Sequence, residues 1–356
     1  MEKKAKMTTC NRSKMTYMKK IKIQLFNAMS MLKCQPVIGI TNFFILLFLF
    51  QFIACNSQDK TFGLNEMERT IQICITAFKT HYVYPDLVLE MEKKVNIKFK
   101  SGEYDTIPNL YEFTKQIKKD FRSVSNDRHI WIDIIENLPV KNSDVSDEEK
   151  INELRKSNFG FTEFELLPGN VAYLRFDGFV DVKYGKDTAA EYMKKLSTSD
   201  AIIFDLRHNH GGNGNMVRFI SSYFFENKVQ LNSLYFREDD SLATAWTDPN
   251  IPETKLIRQK LYILTSNNTT SAAESFANLM KNYNRATIVG EHTRGAGHWV
   301  ETYKFPELGI FLEIPVARPI NPITQKGWEG TGIIPDIEIS EDKAFDKAFT
   351  LAIKEM

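Results

Sequence analysis

Residues 261–283 read LYILTSNNTTSAAESFANLMKNY. The apolar run Leu261–Thr265 predicts a strand covered on both faces. Ala272 to Tyr283 predicts a helix, and the polar segment between them a loop. The same succession recurs along the chain. Val171–Phe176 and Ala201–Leu206 read as strands, with helices predicted over Ala189–Leu196 and Met216–Phe225. Thr287–Gly290 reads as a further short strand. Strands alternating with helices predict an α/β layered core. In such cores, sites form beyond the C-terminal ends of the strands.

Upstream the period changes. Met67, Ile71, Cys74 and Phe78 recur at helical spacing, as do Leu110, Phe113, Ile117 and Phe121. They predict a small helical domain over 63–124. His129 to Ile135 then alternates with β-branched residues and predicts a strand. The core is expected over 125–340, with a C-terminal helix over 341–356.

The formal net charge of +1 hides an asymmetry. Residues 1–34 hold nine basic residues and one acid, and residues 35–54 hold no charge. The rest, 55–356, carries 37 basic against 44 acidic residues, a net −7. An acidic body argues against a nucleic-acid partner. A basic start, an apolar run around Phe43–Phe50 and a small residue before Cys55 make residues 1–55 an export signal, followed by a polar tether over 56–62. Ala54-Cys55 resembles a lipoprotein cleavage site, with Cys55 as the lipidated residue. The alternative is an uncleaved anchor helix, because about 20 uncharged residues can span a bilayer. Either places the body in the cell envelope, held to a bacterial membrane. Of the four cysteines only Cys74 lies beyond the signal, so the body has no internal disulfide.

Three loops after strands carry candidate chemistry. In 205–214, Gly211-Gly212 precede a helix, so backbone N–H groups there can approach an anion closely. That suits an oxyanion hole, though a structural turn reads the same way. In 265–274, Ser271 stands at a helix start. It reads either as an N-cap, with Glu274 completing a capping box, or as a nucleophile with the Ala272 N–H facing the oxyanion. The third loop is 290–297, and a last glycine-rich turn spans 327–336.

Asp-Leu-Arg-x-Asn-x-Gly-Gly from Asp205, Thr-Ser-x4-Ser-Ala-Ala-Glu from Thr265, Gly-Glu-x-Thr-x-Gly-x-Gly from Gly290 and Glu-Gly-x-Gly-x-x-Pro-Asp from Glu329 occur in order. This set resembles the C-terminal-processing (tail-specific) serine peptidase family. The resemblance covers roughly 125–340 and implies a crotonase-like (ClpP-like) α/β spiral core. It implies Ser271 as nucleophile, an oxyanion hole from Gly211 or Gly212 with Ala272, and a peptide or protein substrate. Many members use a lysine inside the Gly-x-Gly of the third loop, where this chain has Ala296. That departure points to the tricorn-core and interphotoreceptor retinoid-binding branch. There the base is an upstream histidine, matching His129, and the closing acid matches Glu329. The branch has a serine before the histidine. Here it is Arg128, which leaves Asp127 as a possible support. His292 and His298 compete with His129 for the role of base. The short spacing between Ile135 and the core excludes a PDZ domain, expected in tail-specific members.

The expectation is an exported serine-type peptidase without cofactor or metal. The alternative is a non-catalytic protein that binds apolar ligands or peptides on the same fold. An esterase is a third reading, because the same machinery cleaves both bonds.

Overall fold

The computed structural model describes residues 62–138, 146–251 and 254–355; residues 1–55, which the sequence reading takes as an export signal ending in a lipidated Cys55, lie outside them. Two sheets organise the described chain. The first has strand order β11-β8-β7-β4-β3-β2. Its strands are β2 (Phe161–Leu167), β3 (Val171–Phe176), β4 (Ala201–Asp205), β7 (Lys260–Thr265), β8 (Thr287–Gly290) and β11 (Ile337–Glu338). From β3 to β11 neighbouring strands are parallel, and β2 pairs antiparallel at one edge.

Parallel neighbours need crossovers, and helices take part in three of the four; the one from β8 to β11 holds none. The helices α5 (Val182–Leu196), α6 (Gly214–Ser221) and α7 (Ala272–Asn282) pack one face of the sheet, around Leu174, Phe204 and Ile263. The other face, Val171, Tyr173, Ile203 and Leu264, is covered by α8 (Glu341–Lys354). Helix α8 presents Ala344, Ala348 and Ala352 at four-residue spacing, all fully buried. Small side chains on one stripe let the helix approach the sheet closely. Covered on both faces, β4 and β7 read as apolar runs rather than alternations.

The second sheet is antiparallel and was not visible as a unit in the sequence. It joins β1 (Trp131–Ile134), β5 (Ser233–Phe236), β6 (Ser241–Ala243), β9 (Trp299–Phe305) and β10 (Ile310–Ile320). The long β10 pairs with β9 on one side and with β1 and then β5 on the other. Helices α1 (Leu64–His81), α2 (Pro85–Lys100) and α3 (Leu110–Ser125) pack on this sheet. Phe78, Phe113, Ile117 and Phe121 share one cluster with Ile132, Ile310 and Leu312. The helical region therefore owns no separate core and shares one with the sheet. Between β1 and β2 the described residues form a short turn over Ile135–Asn137 and helix α4 (Asp147–Lys156).

Two sequence readings change in detail. The helix predicted over Met216–Phe225 is α6 plus a separate tight turn, Ser222–Phe224. The helix ending at Leu196 begins earlier, at Val182, where Asp181 caps it through the Lys183 N–H at 2.9 Å. Among the described residues no helix is long and apolar enough to cross a membrane.

Candidate active site

The site lies beyond the C-terminal ends of β4, β7 and β8. Ser271 is the N-cap of α7 and sits at φ 56°, ψ −118°, a region that non-glycine residues rarely occupy. Such a conformation costs about 1–3 kcal/mol and persists only where neighbours over-determine it. They do so here. The Ser271 N–H donates to Glu274 Oε2 at 2.9 Å, and the Thr270 N–H donates to the Asn209 carbonyl at 3.1 Å. Ser266 Oγ donates to the Arg207 carbonyl at 2.6 Å and Thr269 Oγ1 to that of Leu206 at 2.8 Å. The loop after β7 is thereby strapped to the loop after β4.

Glu274 does more than cap. Fully buried, it also accepts from Thr293 Oγ1 at 2.6 Å, Gly295 N–H at 2.7 Å and Ala296 N–H at 2.8 Å. Burial pushes its carboxyl above the ordinary range, although these four donors pull the other way. One side chain thus ties Ser271 to the third loop. Its sequence signature, Ser-x-x-Glu, disclosed only the bond to Ser271.

The glycine pair divides its roles. Gly211 is at φ 93°, and its N–H donates to Asn209 Oδ1 at 2.9 Å. A Cβ on Gly211 would stand 2.8 Å from Ser271 Cβ. Gly211 therefore permits close packing against Ser271 but has no donor to spare. The N–H groups of Gly212 and Ala272 make no hydrogen bond among the described residues. The oxyanion expectation for Gly211 or Gly212 accordingly narrows to Gly212, paired with Ala272. Both line, with Ser271, a cavity of about 350 Å³. Val217, Leu231, Leu234 and Leu279 give it apolar walls.

The basic arm comes from the other sheet. Strands β1 and β9 both run antiparallel to β10, so their starts lie toward its C-terminal half. Asp127–His129 precede β1, Gly297-His298 precede β9, and Glu329 follows β10. All three segments therefore converge. Helix α3 ends with Asn126 left-handed at φ 55°, which turns the chain toward His129. Arg122 then donates to the carbonyls of Ile130 at 2.8 Å and Arg128 at 2.6 Å.

His129 Nδ1 donates to Glu329 Oε2 at 3.2 Å. That same oxygen accepts from the N–H groups of Gly297 at 2.6 Å and His298 at 3.0 Å. No intervening serine is needed, so Arg128 at that position is no obstacle; its side chain is exposed. Burial alone would lower the His129 pKa. The hydrogen bond and charge of Glu329, with the charges of Asp127 and Glu274, outweigh burial and raise it above the ordinary 6.5.

Asp127 forms a second pair. Its Oδ2 accepts from His298 Nδ1 at 2.7 Å and from Tyr82 OH at 3.0 Å, while Oδ1 accepts the His129 N–H at 2.9 Å. Burial raises the Asp127 carboxyl, yet the bond and charge of His298 and the bond from His129 prevail and hold it below the ordinary 3.8. Asp127 and His298 side chains are each 1% exposed. His298 lines the Ser271 cavity, but its Nε2 is buried and has no hydrogen-bond partner. His292 instead points toward Glu338, at 3.7 Å, and does not line the cavity. His208 and His210 are exposed. Ser271 Oγ makes no hydrogen bond to either histidine in the free chain. Catalytic contacts of this kind commonly tighten only on substrate binding. Asp127, His129, His298 and Glu329 are also the group with the donor types to hold a metal, with one donor atom from each within 4.8 Å of the others.

Comparison with known proteins finds two profiles. That of peptidase family S41 matches residues 170–339. The N-terminal domain of peptidase S41 in eukaryotic IRBP matches residues 64–160. A CtpA-like serine protease of Staphylococcus epidermidis is 25% identical over 183 residues, which span 49% of this chain and 35% of that protein. The chloroplastic carboxyl-terminal-processing peptidase 1 of Arabidopsis thaliana is 26% identical over 207 residues, spanning 56% and 39%. The chain thus covers well under half the length of these two relatives. The crystal structure of a candidate peptidase from Parabacteroides merdae shares the fold, with a TM-score of 0.59 at 18% identity, covering 82% of this chain and 97% of that one.

Proposed function

The chain belongs to peptidase family S41, and from that premise we propose that it is an exported serine-type peptidase with Ser271 as nucleophile and His129 as base. The carrying observation is the strained Ser271 beside two unengaged N–H groups, those of Gly212 and Ala272, in one cavity. A binding protein has no use for strain at that serine.

In this scheme Ser271 Oγ attacks the scissile carbonyl while His129 Nε2 takes its proton. Glu329 holds the Nδ1 proton, fixing the tautomer and stabilising the imidazolium. The carbonyl oxygen, now negative, is held by the N–H groups of Gly212 and Ala272. His129 then protonates the leaving amine, and water repeats the sequence on the acyl-enzyme. The substrate is a peptide or protein chain. The basic and apolar pattern of residues 1–55 supports export, with attachment to the membrane through Cys55 or an uncleaved anchor.

The test is labelling by a fluorophosphonate probe. Wild type labels, Ser271→Ala does not, and His129→Ala slows labelling by about a thousandfold or more. Equal labelling of wild type and Ser271→Ala overturns the nucleophile. Cleavage of small esters with no peptide hydrolysis favours the esterase instead.

A further inference from the structure

The catalytic scheme uses Glu329 and His129 but leaves the Asp127–His298 pair without a chemical task. We propose that Asp127, His129, His298 and Glu329 together form a zinc site that switches the peptidase off; the switching part rests on His129 being the base.

The geometry comes first. Tetrahedral zinc, with arms of about 2.0–2.2 Å to imidazole nitrogen and carboxylate oxygen, needs donors about 3.3 Å apart. Here the separations bracket that value. His298 Nδ1 lies 2.7 Å from Asp127 Oδ2 and 3.6 Å from Glu329 Oε2. His129 Nδ1 lies 3.2 Å from Glu329 Oε2 and 4.0 Å from Asp127 Oδ1. With one donor atom from each residue, all four lie within 4.8 Å of one another, so shifts of under an ångström by each bring them to that spacing. Two imidazoles and two carboxylates suit zinc.

Charge and hydrogen bonding agree. Two ionised carboxylates with two neutral imidazoles carry −2, which one zinc ion cancels. Each carboxylate keeps donors of its own that fix its orientation: Tyr82 OH and the His129 N–H on Asp127, the Gly297 and His298 N–H groups on Glu329. Such outer bonds are what hold ligands in place at a metal.

The switch is a change of tautomer. Without metal, each Nδ1 carries a proton directed at its carboxylate. Zinc takes both Nδ1 lone pairs, and each imidazole then carries its single proton on Nε2. The proton count is unchanged. Moving the protons gives up the two Nδ1–H to carboxylate hydrogen bonds, which the metal bonds replace. It breaks nothing at Nε2, because among the described residues neither Nε2 bonds to a protein group, and that of His298 is buried without a partner. His129 with a proton on Nε2 cannot accept one from Ser271.

The test uses the full chain stripped with EDTA. Zinc chloride titrated by calorimetry binds at one equivalent, and cobalt gives the visible absorption of a tetrahedral site. Ser271→Ala binds zinc as wild type does. Asp127→Asn and His298→Gln each weaken binding about tenfold or more, and thermal melts verify that both variants fold. Zinc slows fluorophosphonate labelling of wild type, and EDTA restores it. No binding, binding undiminished in both variants, or labelling that bound zinc leaves unchanged overturns the proposal. A wild type that never labels overturns the catalytic reading instead, and calorimetry still decides the metal site.

Discussion

The two sheets build their halves of the site by different means. The parallel sheet supplies Ser271, Ala272 and Gly212 from loops that directly follow β4 and β7, each within a strand–loop–helix segment. The antiparallel sheet supplies His129 and Glu329, 200 residues apart, which meet because β1 and β10 are neighbours. Local geometry makes the proposed nucleophile, and tertiary pairing makes the proposed base. Damage to the first half should therefore act through loop shape. Damage to the second should act through charge and tautomer.

The largest effect after removal of Ser271 or His129 themselves is expected at their acid. Glu329→Gln keeps the shape but offers an amide where a carboxylate stood. Labelling and peptide cleavage should fall by about ten-thousand-fold, the loss expected when the orienting acid of a serine–histidine pair becomes an amide. The rate should also change its pH profile. His129 acts as base only when neutral, so wild-type activity rises with pH through its raised pKa. In the variant that midpoint moves down, because burial no longer meets the opposing charge. A variant that keeps full activity would break the tertiary half of the comparison.

Next comes the loop. A Cβ on Gly212, at φ 132°, would stand 2.2 Å from the Phe179 carbonyl oxygen. Gly212→Ala must therefore displace the segment that carries an oxyanion donor. A loss of about a hundred- to a thousandfold in turnover is expected, with KM changing less. The pH midpoint should stay at the wild-type position. A shifted midpoint would show that the two halves are not separable.

The same division explains what the sequence made legible. The Gly211-Gly212 pair and Ser271 each stand a few residues after an apolar strand, so period and composition disclose them. The antiparallel sheet did not announce itself. Strand β9 alternates weakly and is mostly exposed, and β10 pairs not only with its hairpin neighbour β9 but with β1 and β5, both distant in sequence. His129 and Glu329 were found through resemblance, since nothing local links them. His298 reads from the sequence as a competitor for the base, but its pairing with Asp127 depends on β1 and β9 flanking β10 with their starts toward the same end. Glu274 was read as a cap, and its bonds to Thr293, Gly295 and Ala296 require a loop that folds back from β8.

The smallest effect is thermodynamic and concerns the same His129–Glu329 contact. A histidine whose pKa is raised on folding binds its proton more tightly in the folded chain than in the unfolded one. Its stabilising contribution is then fully present below the unfolded value, near the ordinary 6.5, and is lost as pH rises through the higher folded value. In metal-free samples, wild type should exceed Glu329→Gln in unfolding free energy most at the acidic side of that window. The gap should narrow on the alkaline side, where His129 is neutral in both. Asp127 opposes this trend in sign: its carboxyl is depressed on folding, so its contribution is lost only at still lower pH, below the histidine window. Denaturant melts across that window in wild type and variant separate the two. A gap that widens with rising pH would mean that Glu329 stabilises the fold through the Gly297 and His298 N–H groups rather than through the imidazolium.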